Sequence, residues 1–243
     1  MIATETPMPG SLHPMVLPSS PKPYYDEDGI TIYFGDNRII SPLLGRFDAL
    51  VTDPPYGHGK KWSGGTWAAN PIYDAAFEWD AQTADLEHLL AMVAQTDAAI
   101  VWGGNYYPMP PSRCWLSWEK SSKMPTMADF ELAWTNLDRP AKRFLEDRNP
   151  DGTREHPTQK PLSLMSWCLQ MLPEAKTILD PFMGSGTTLR AAKDLGRRAV
   201  GIEVSERYCE VAARKMSQGV LWRQNAEVSD GSEPPQTLKS KPA

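Results

Sequence analysis

One segment constrains the fold of this chain more than any other, the strand, turn, helix and strand pattern between residues 177 and 204. Thr177 to Leu179 is predicted as a strand, and the turn from Asp180 to Gly186 contains two glycines. A helix is predicted from Thr187 to Leu195, followed by a strand from Ala199 to Val204. Strands joined by a helical crossover lie parallel in one sheet, so the segment predicts an α/β fold.

The same alternation of strands and helices extends over the preceding part of the chain and beyond residue 204. Further strands are predicted at Ile30 to Phe34, Phe47 to Thr52, Ala98 to Trp102, Cys114 to Trp118 and Phe130 to Trp134. Further helices are predicted from an N-cap at Thr83 to Gln95, from Pro161 to about Leu172, and from an N-cap at Ser205 to about Met216. These elements favour a mostly parallel sheet.

Length and composition favour a single domain. A chain of 243 residues with 41% hydrophobic residues can bury one substantial core, which we expect within residues 24–223. Residues 1–23 are rich in proline and serine, and residues 224–243 are polar. Both tails are therefore expected to be disordered.

Composition also excludes several classes of protein. The sequence has no run of about 18 apolar residues and no secretory signal at its start, so we expect a soluble cytoplasmic protein without a membrane span. Its three cysteines, Cys114, Cys168 and Cys209, lack CxxC spacing and are interpreted as reduced packing residues; no metal is expected. The net charge of -5 argues against a protein that coats nucleic acid nonspecifically.

The turn after residue 179 has the features of a nucleoside-binding loop. Asp180 to Thr188 reads DPFMGSGTT, and Glu203 follows Gly186 by 17 residues, at the end of the next strand. Glycines let a ligand approach the backbone, and a carboxylate there can accept hydrogen bonds from ribose hydroxyls. A purely structural turn is the alternative. A dinucleotide site is disfavoured because Leu189 replaces the third glycine, and a P-loop because no Gly-Lys-Ser/Thr follows.

A second motif, Asp53-Pro54-Pro55-Tyr56, closes the predicted strand Phe47 to Thr52. Proline fixes φ and restricts the preceding residue, so the tetrapeptide forms a stiff corner. The Asp53 carboxylate and the Pro54 carbonyl could both accept hydrogen bonds from an exocyclic amine, while Tyr56 could stack on a base that has left its duplex. A structural turn is again the alternative reading.

Together with His156-Pro157-Thr158-Gln159-Lys160-Pro161, these two motifs resemble the signature of the amino-directed (N6-adenine and N4-cytosine) DNA methyltransferases. Their order, with the Asp-Pro-Pro-Tyr corner first, resembles the permuted β group, many members of which are carried by phages and prophages. The resemblance implies a Rossmann-like, S-adenosylmethionine-dependent methyltransferase fold with a mostly parallel seven-stranded sheet.

The resemblance also implies roles for individual residues. The predicted catalytic residues at the target amine are Asp53, Pro54, Pro55 and Tyr56. The predicted residues for S-adenosylmethionine are Asp36, Thr158, Gln159, Lys160, Asp180, Pro181, Phe182, Gly184, Ser185, Gly186, Thr187, Thr188 and Glu203. Capping of a turn is an equal alternative for Asp36.

Asp at the first position of the corner favours adenine N6 in double-stranded DNA, because Ser commonly stands there in the similar cytosine enzymes. N4-cytosine is the alternative base. A protein or RNA methyltransferase and a DNA-binding scaffold without catalysis are the other hypotheses. The sequence leaves open a homodimer and a cognate restriction enzyme.

The chain is too short for a large separate target-recognition domain, so we expect DNA recognition in residues 58–80 and 124–155. Solvated surface loops are the alternative for these segments. The predicted DNA-binding residues are the basic side chains Lys60, Lys61, Arg139, Lys142, Arg143 and Arg148.

Overall fold

One mixed sheet of nine strands runs through the part of the chain that the computed structural model describes, residues 21–57, 83–123, 128–148, 150 and 159–219. The strands are β1 (Tyr25–Glu27), β2 (Ile30–Phe34), β3 (Phe47–Thr52), β4 (Thr96–Trp102), β5 (Trp115–Lys120), β6 (Phe130–Thr135), β7 (Lys142–Glu146), β8 (Thr177–Asp180) and β9 (Arg198–Glu203). The helices are α1 (Asn37–Ile40), α2 (Leu86–Ala94), α3 (Leu162–Gln170), α4 (Thr187–Asp194) and α5 (Glu206–Ser217), with 3-10 turns at Ser41–Leu43 and Gly104–Tyr106.

The strands lie in the order β1-β2-β9-β8-β3-β4-β6-β5-β7. The five strands from β2 to β4 in this order are parallel to one another. Strand β6 is antiparallel to β4 and β5, and β1 is antiparallel to β2. The predicted α/β fold with a mostly parallel sheet is therefore confirmed.

The predicted number of seven strands is wrong, because β1 and β7 lie at the two edges of the sheet. Strand β1 has three residues and turns into β2 through Asp28 and Gly29, both with positive φ. Strand β7 is basic and mostly exposed, and Phe144 is its apolar contact, packing against Trp167 with ring centroids 5.2 Å apart. An edge strand buries few of its side chains, so neither the β1 segment nor the β7 segment shows a strong strand pattern in the sequence.

Helices cover both faces of the sheet, which explains why its central strands are continuous apolar runs. In β3, Ala49 and Val51 join the cluster that contains Leu164 of α3 and Cys209 of α5. Leu50, between them, joins the opposite cluster, with Leu89 of α2. The three cysteines are free and buried, in agreement with their predicted packing role. Among the described residues, none of the helices is long and apolar enough to span a membrane.

Helix α2 begins later than predicted. Asp85, not Thr83, is its N-cap, and the Asp85 carboxylate accepts a hydrogen bond of 2.8 Å from the backbone N–H of His88. Thr83 instead forms a β-bridge with Tyr56. A contact with a residue far along the chain therefore overrides the local capping preference of threonine.

Strands β8 and β3 mark the switch point of the sheet. The chain passes from β3 outward to β4, and from β8 outward in the opposite direction to β9. In open α/β sheets, ligands bind at the carboxyl ends of the strands beside such a switch point. Asp53 follows β3 and Asp180 ends β8, so both carboxylates lie at this position.

Several predictions concern residues outside the described ranges. These are the tail residues 1–20 and 224–243, the segment 58–80 with Lys60 and Lys61, parts of the segment 124–155, and Thr158. The predicted single-domain boundaries stay a prediction.

Candidate functional site

A cavity of about 500 Å³ opens at the carboxyl ends of β2, β9, β8 and β3. Two of the segments in its lining carry predicted motifs. The proline elbow, defined as Asp53 to Tyr56, contributes Asp53 and Pro55, and the glycine loop, defined as Asp180 to Thr188, contributes every residue except Gly186. Of the predicted site residues, the lining includes Asp36, Asp53, Pro55, Lys160, Asp180, Pro181, Phe182, Gly184, Ser185, Thr187, Thr188 and Glu203. The fold therefore brings the two predicted motifs to one cavity.

The proline elbow rests on the segment that follows β4. Tyr56 lies against Gly103, where an added Cβ would come within 1.9 Å of Tyr56 Cε1. The ring of Tyr56 stacks on Tyr106 at a centroid distance of 4.9 Å. The hydroxyl of Tyr107 donates to the Pro55 carbonyl. This support comes from the run Gly103-Gly104-Asn105-Tyr106-Tyr107, which directly follows β4.

We expect Gly103→Ala to lower turnover by about a hundredfold, because Tyr56 must leave its position and displace the elbow. Gly103 also has a φ of 67°, which disfavours alanine. Gly45→Ala is the matched control, since Gly45 has a φ of 78° but no atom within 4 Å of an added Cβ. Turnover and urea unfolding of both variants check the prediction, which fails if the two variants lose activity equally.

Lys160, predicted beside the cofactor, lines the cavity and also contacts the proline elbow. Its Nζ lies 2.5 Å from Asp53 Oδ2 and 3.2 Å from the Tyr56 hydroxyl, which itself donates to Asp53 Oδ1. Lys160 also pairs with Glu131 of β6, with 3.1 Å between Nζ and Oε2. Glu131 was not predicted as a site residue.

The electrostatics of this group depend on burial and on the opposite charges. Burial alone would lower the pKa of Lys160, but Asp53 and Glu131 outweigh it and raise that pKa above its usual value. Burial would raise the pKa of Glu131, yet Lys160 and Lys120 hold it at about 2. For Asp53 the burial effect prevails over Lys160, and its pKa is raised.

In the glycine loop, the backbone and Glu203 hold each other in place. Glu203 accepts hydrogen bonds from the backbone N–H groups of Gly184 at 3.0 Å and Ser205 at 2.8 Å. Gly184 and Gly186 have φ of 52° and 81°, a conformation that favours glycine. Burial raises the pKa of Glu203. Each oxygen of its carboxylate accepts one of these bonds, so each keeps capacity for a further hydrogen bond from a ligand.

Asp180 ties the glycine loop to β3. Its Oδ1 accepts from the Thr52 hydroxyl at 2.8 Å and from the Phe182 N–H at 3.2 Å. Burial raises the pKa of Asp180 to about 6. Gln159 is joined to the same loop, because the Ser185 hydroxyl donates to its Oε1 at 3.1 Å. Its predicted association with the cofactor side is thus compatible with its position.

Asp36 sits at the cavity edge and also caps α1. Its carboxylate accepts from the Arg38 backbone N–H at 2.9 Å and forms an ion pair with the Arg38 guanidinium. Next to it, the Asn37 side chain donates to the Pro181 carbonyl at 3.0 Å. Asn37 therefore links α1 to the glycine loop, a contact that the sequence analysis did not predict.

The predicted DNA-binding residues that the structure describes fall into two groups. Lys142 and Arg143 are exposed on β7, where Arg143 pairs with Glu119 at 3.0 Å, and Arg139 is half-buried and donates to the Met171 carbonyl. Arg148, in contrast, is 8% exposed and donates to the Ser122 and Ala128 carbonyls at 2.7 and 2.9 Å. Its guanidinium is thus directed at the backbone, which gives it a structural role, and its contact with DNA stays a prediction.

Comparison of the sequence with known proteins agrees with the motifs. Residues 101–214 match the family model described as DNA methylase. The chain is 41% identical over 112 residues to the type II methyltransferase M2.LlaDCHI of Lactococcus lactis subsp. cremoris, covering 46% of this chain and 39% of that protein. It is 46% identical over 63 residues to the type II methyltransferase M2.DpnII of Streptococcus pneumoniae, covering 26% and 24%. The chain thus matches less than half the length of these relatives.

Solved structures share the fold. The M1.HpyAVI–SAM complex aligns with a TM-score of 0.52 at 21% identity, covering 78% of this chain and all of the other. PvuII DNA methyltransferase, described as cytosine-N4-specific, aligns with a TM-score of 0.56 at 17% identity, covering 82% and 90%. These comparisons confirm the predicted Rossmann-like methyltransferase fold and the resemblance to amino-directed DNA methyltransferases.

Proposed function

From a chain whose residues 101–214 match the DNA methylases, we propose an enzyme that methylates the exocyclic amine of a flipped base in double-stranded DNA, adenine N6 being the acceptor. The observation that carries the proposal is the shared cavity. Asp53 lines it together with Gly184 and Glu203. An amine acceptor and a nucleoside-binding loop in the lining of one cavity are what direct transfer between two bound molecules requires.

The cavity suits S-adenosylmethionine, which supplies an electrophilic methyl group when bound. Glu203 would accept hydrogen bonds from the ribose hydroxyls, since its carboxylate is already oriented by two backbone N–H groups. The glycine loop would line the cofactor, with Phe182 and Asp36 at its edges. The volume of about 500 Å³ lies within the range of ordinary cofactor sites.

The elbow residues would prepare the target amine. Its lone pair is delocalised into the ring, and the nitrogen becomes nucleophilic when two acceptors hold its N–H groups. Asp53 would supply one acceptor, because each carboxylate oxygen already takes one internal hydrogen bond and keeps a second position. The Pro54 carbonyl would supply the other, and Tyr56 would stack on the base. Lys142 and Arg143 on the exposed edge strand would contact DNA phosphates.

The test is nucleoside analysis of DNA incubated with the protein and methyl-labelled S-adenosylmethionine. We expect N6-methyladenine at a short recognition site. Finding only N4-methylcytosine would change the proposed acceptor from adenine to cytosine. Cytosine is the second candidate because PvuII DNA methyltransferase, which shares the fold, is described as cytosine-N4-specific. Label in protein or RNA and never in DNA would overturn the proposal. We place the enzyme in the cytoplasm of a bacterium or a phage-infected host.

Replacing Glu203 is expected to weaken cofactor binding selectively. Loss of a carboxylate that holds hydroxyl groups corresponds to about a 10- to 100-fold rise in the cofactor dissociation constant for Glu203→Ala. Calorimetry without DNA measures it. The exposed Glu210→Ala, on α5, is the matched control and should leave the constant unchanged. Unchanged binding in Glu203→Ala would contradict the proposed role.

A further inference from the structure

Behind the proline elbow, four charged side chains alternate in sign. Asp53 contacts Lys160, Lys160 contacts Glu131, and Glu131 contacts Lys120 at the end of β5. The lysine side chains are 6% and 5% exposed, for Lys160 and Lys120, and the Glu131 side chain is 25% exposed. Because each of these side chains contacts the next, a change at Glu131 can reach Asp53 through Lys160 without any contact between Glu131 and Asp53.

Packing alone gives no reason for Glu131. It lies on β6 opposite Trp118 of β5. Burying ionised groups costs several kcal/mol, and an apolar replacement of the whole group is often as stable or more stable. A buried pair of this kind is therefore better explained by what it does for Lys160 than by the stability that it provides.

Lys160 is the group through which Glu131 would act. Its Nζ is 2.5 Å from Asp53 Oδ2 and 3.1 Å from Glu131 Oε2, so one ammonium group joins two carboxylates. Three N–H donors on one nitrogen suffice for both carboxylates and the Tyr56 hydroxyl. Without Glu131, one of these donors loses its acceptor, and the nitrogen is free to rotate and shift relative to Asp53.

We propose that Glu131 is a positioning residue for methyl transfer, which fixes the charged ammonium group of Lys160 against Asp53 and so holds the Asp53 carboxylate in the orientation that receives the target amine. The inference rests on the proposed function. It assigns Lys160 to the elbow and assigns to Glu131 a role that none of the sequence motifs indicated.

The proposal predicts a pH effect with a definite sign. The titratable groups that face Lys160 are Asp53 and Tyr56 from the elbow, Glu131 from β6 and Cys168 from α3, while Lys120 of β5 acts through Glu131. Removing one of the two carboxylates that raise the pKa of Lys160 disfavours the charged lysine, so its pKa falls. The alkaline limb of activity should move to lower pH by a corresponding amount.

The first variant is Glu131→Gln. We expect kcat to fall about 10- to 100-fold at neutral pH, while KM for DNA and the cofactor dissociation constant stay within about twofold, since Glu131 touches neither substrate. The alkaline limb should shift downward. The matched control is Asp97→Asn, which removes an exposed carboxylate of β4 that pairs with Arg46. It should change neither kcat nor the alkaline limb.

A second variant separates positioning from folding. Glu131→Gln leaves Lys120 buried without its partner carboxylate, which destabilises the protein. Adding Lys120→Met removes that unpaired charge, so the double variant should regain much of the lost urea midpoint. Lys160 still lacks Glu131, so kcat and the alkaline limb should stay as in the single variant. If activity and pH profile recover together with stability, Glu131 is merely structural and the proposal is overturned.

A readout without methyl transfer keeps this test independent of the proposed function. Acetic anhydride modifies neutral lysine, and mass spectrometry of the peptide containing Lys160 gives its extent of acetylation against pH. Glu131→Gln should be acetylated at lower pH than the wild type, and Asp97→Asn should not differ from it. An unchanged profile overturns the coupling of Glu131 to Lys160. A wild type that methylates no nucleic acid overturns the proposed function alone.

Discussion

Asp53→Ala is expected to lower methyl transfer to DNA by about a thousandfold while cofactor binding is retained. The carboxylate is the one charged acceptor that the proline elbow presents to the cavity, and it would act on the amine in the transition state. Glu203 and the glycine loop hold each other through backbone hydrogen bonds that do not involve Asp53. Cofactor affinity should therefore change by no more than about twofold.

The measurement combines transfer of labelled methyl groups with calorimetric titration of S-adenosylmethionine. Asp53→Asn is the matched variant, because it keeps one acceptor oxygen and nearly the same shape. It should retain more activity than Asp53→Ala, but it should fall below the wild type since the ion pair with Lys160 is lost. Equal loss of transfer and cofactor binding in both variants would contradict the placement of Asp53 at the target amine.

Lys160→Met is expected to lower the free energy of unfolding by about 3 kcal/mol at neutral pH. The variant is also expected to lose methyl-transfer activity. The Nζ of Lys160 is the shared partner of Asp53 and Glu131, and removing one partner of a buried ion pair leaves the others uncompensated. Exposed Lys176→Met, at the start of β8, is the matched control, because surface substitutions usually change stability by less than about 0.5 kcal/mol. Urea unfolding of both variants measures the difference.

The pH dependence of this effect follows from Glu131. Its pKa in the folded protein is about 2, below the ordinary 4.5, so its stabilising contribution is present above pH 4.5 and is lost as the pH falls towards 2. Lys160 is one of the two cations that lower this pKa. The stability difference between wild type and Lys160→Met should therefore narrow between pH 4.5 and 2. A difference that is constant across this range would contradict the ion-pair explanation.

The two motifs were predictable because each is a short contiguous run with restricted backbone. The prolines of the elbow and the glycines of the loop limit the conformations of neighbouring residues whatever surrounds them. Strands β3, β8 and β9 were equally clear, since strands buried on both faces need continuous apolar runs. Edge strands β1 and β7 were missed, because little of either is buried and composition constrains them weakly.

The roles of single charged residues were less predictable. Lys160 follows Gln159 in the motif, yet Gln159 contacts the glycine loop and Lys160 contacts the elbow. Neighbouring residues in an extended segment can point in opposite directions, so a shared motif does not ensure a shared partner. Arg148 belonged to a basic cluster in the sequence, but its burial and two carbonyl acceptors give it a structural role.

The sequence by itself determined the α/β class, the central strands, the stiff Asp53 elbow and the glycine turn, because each depends on local periodicity or on the backbone limits of proline and glycine. Only the tertiary structure decided which groups meet. The pairing of β3 with β8 joins Thr52 to Asp180, 128 positions apart, and packing before α3 joins Lys160 to Asp53, 107 positions apart. Such contacts arise from the order of strands in the sheet, which no local pattern encodes.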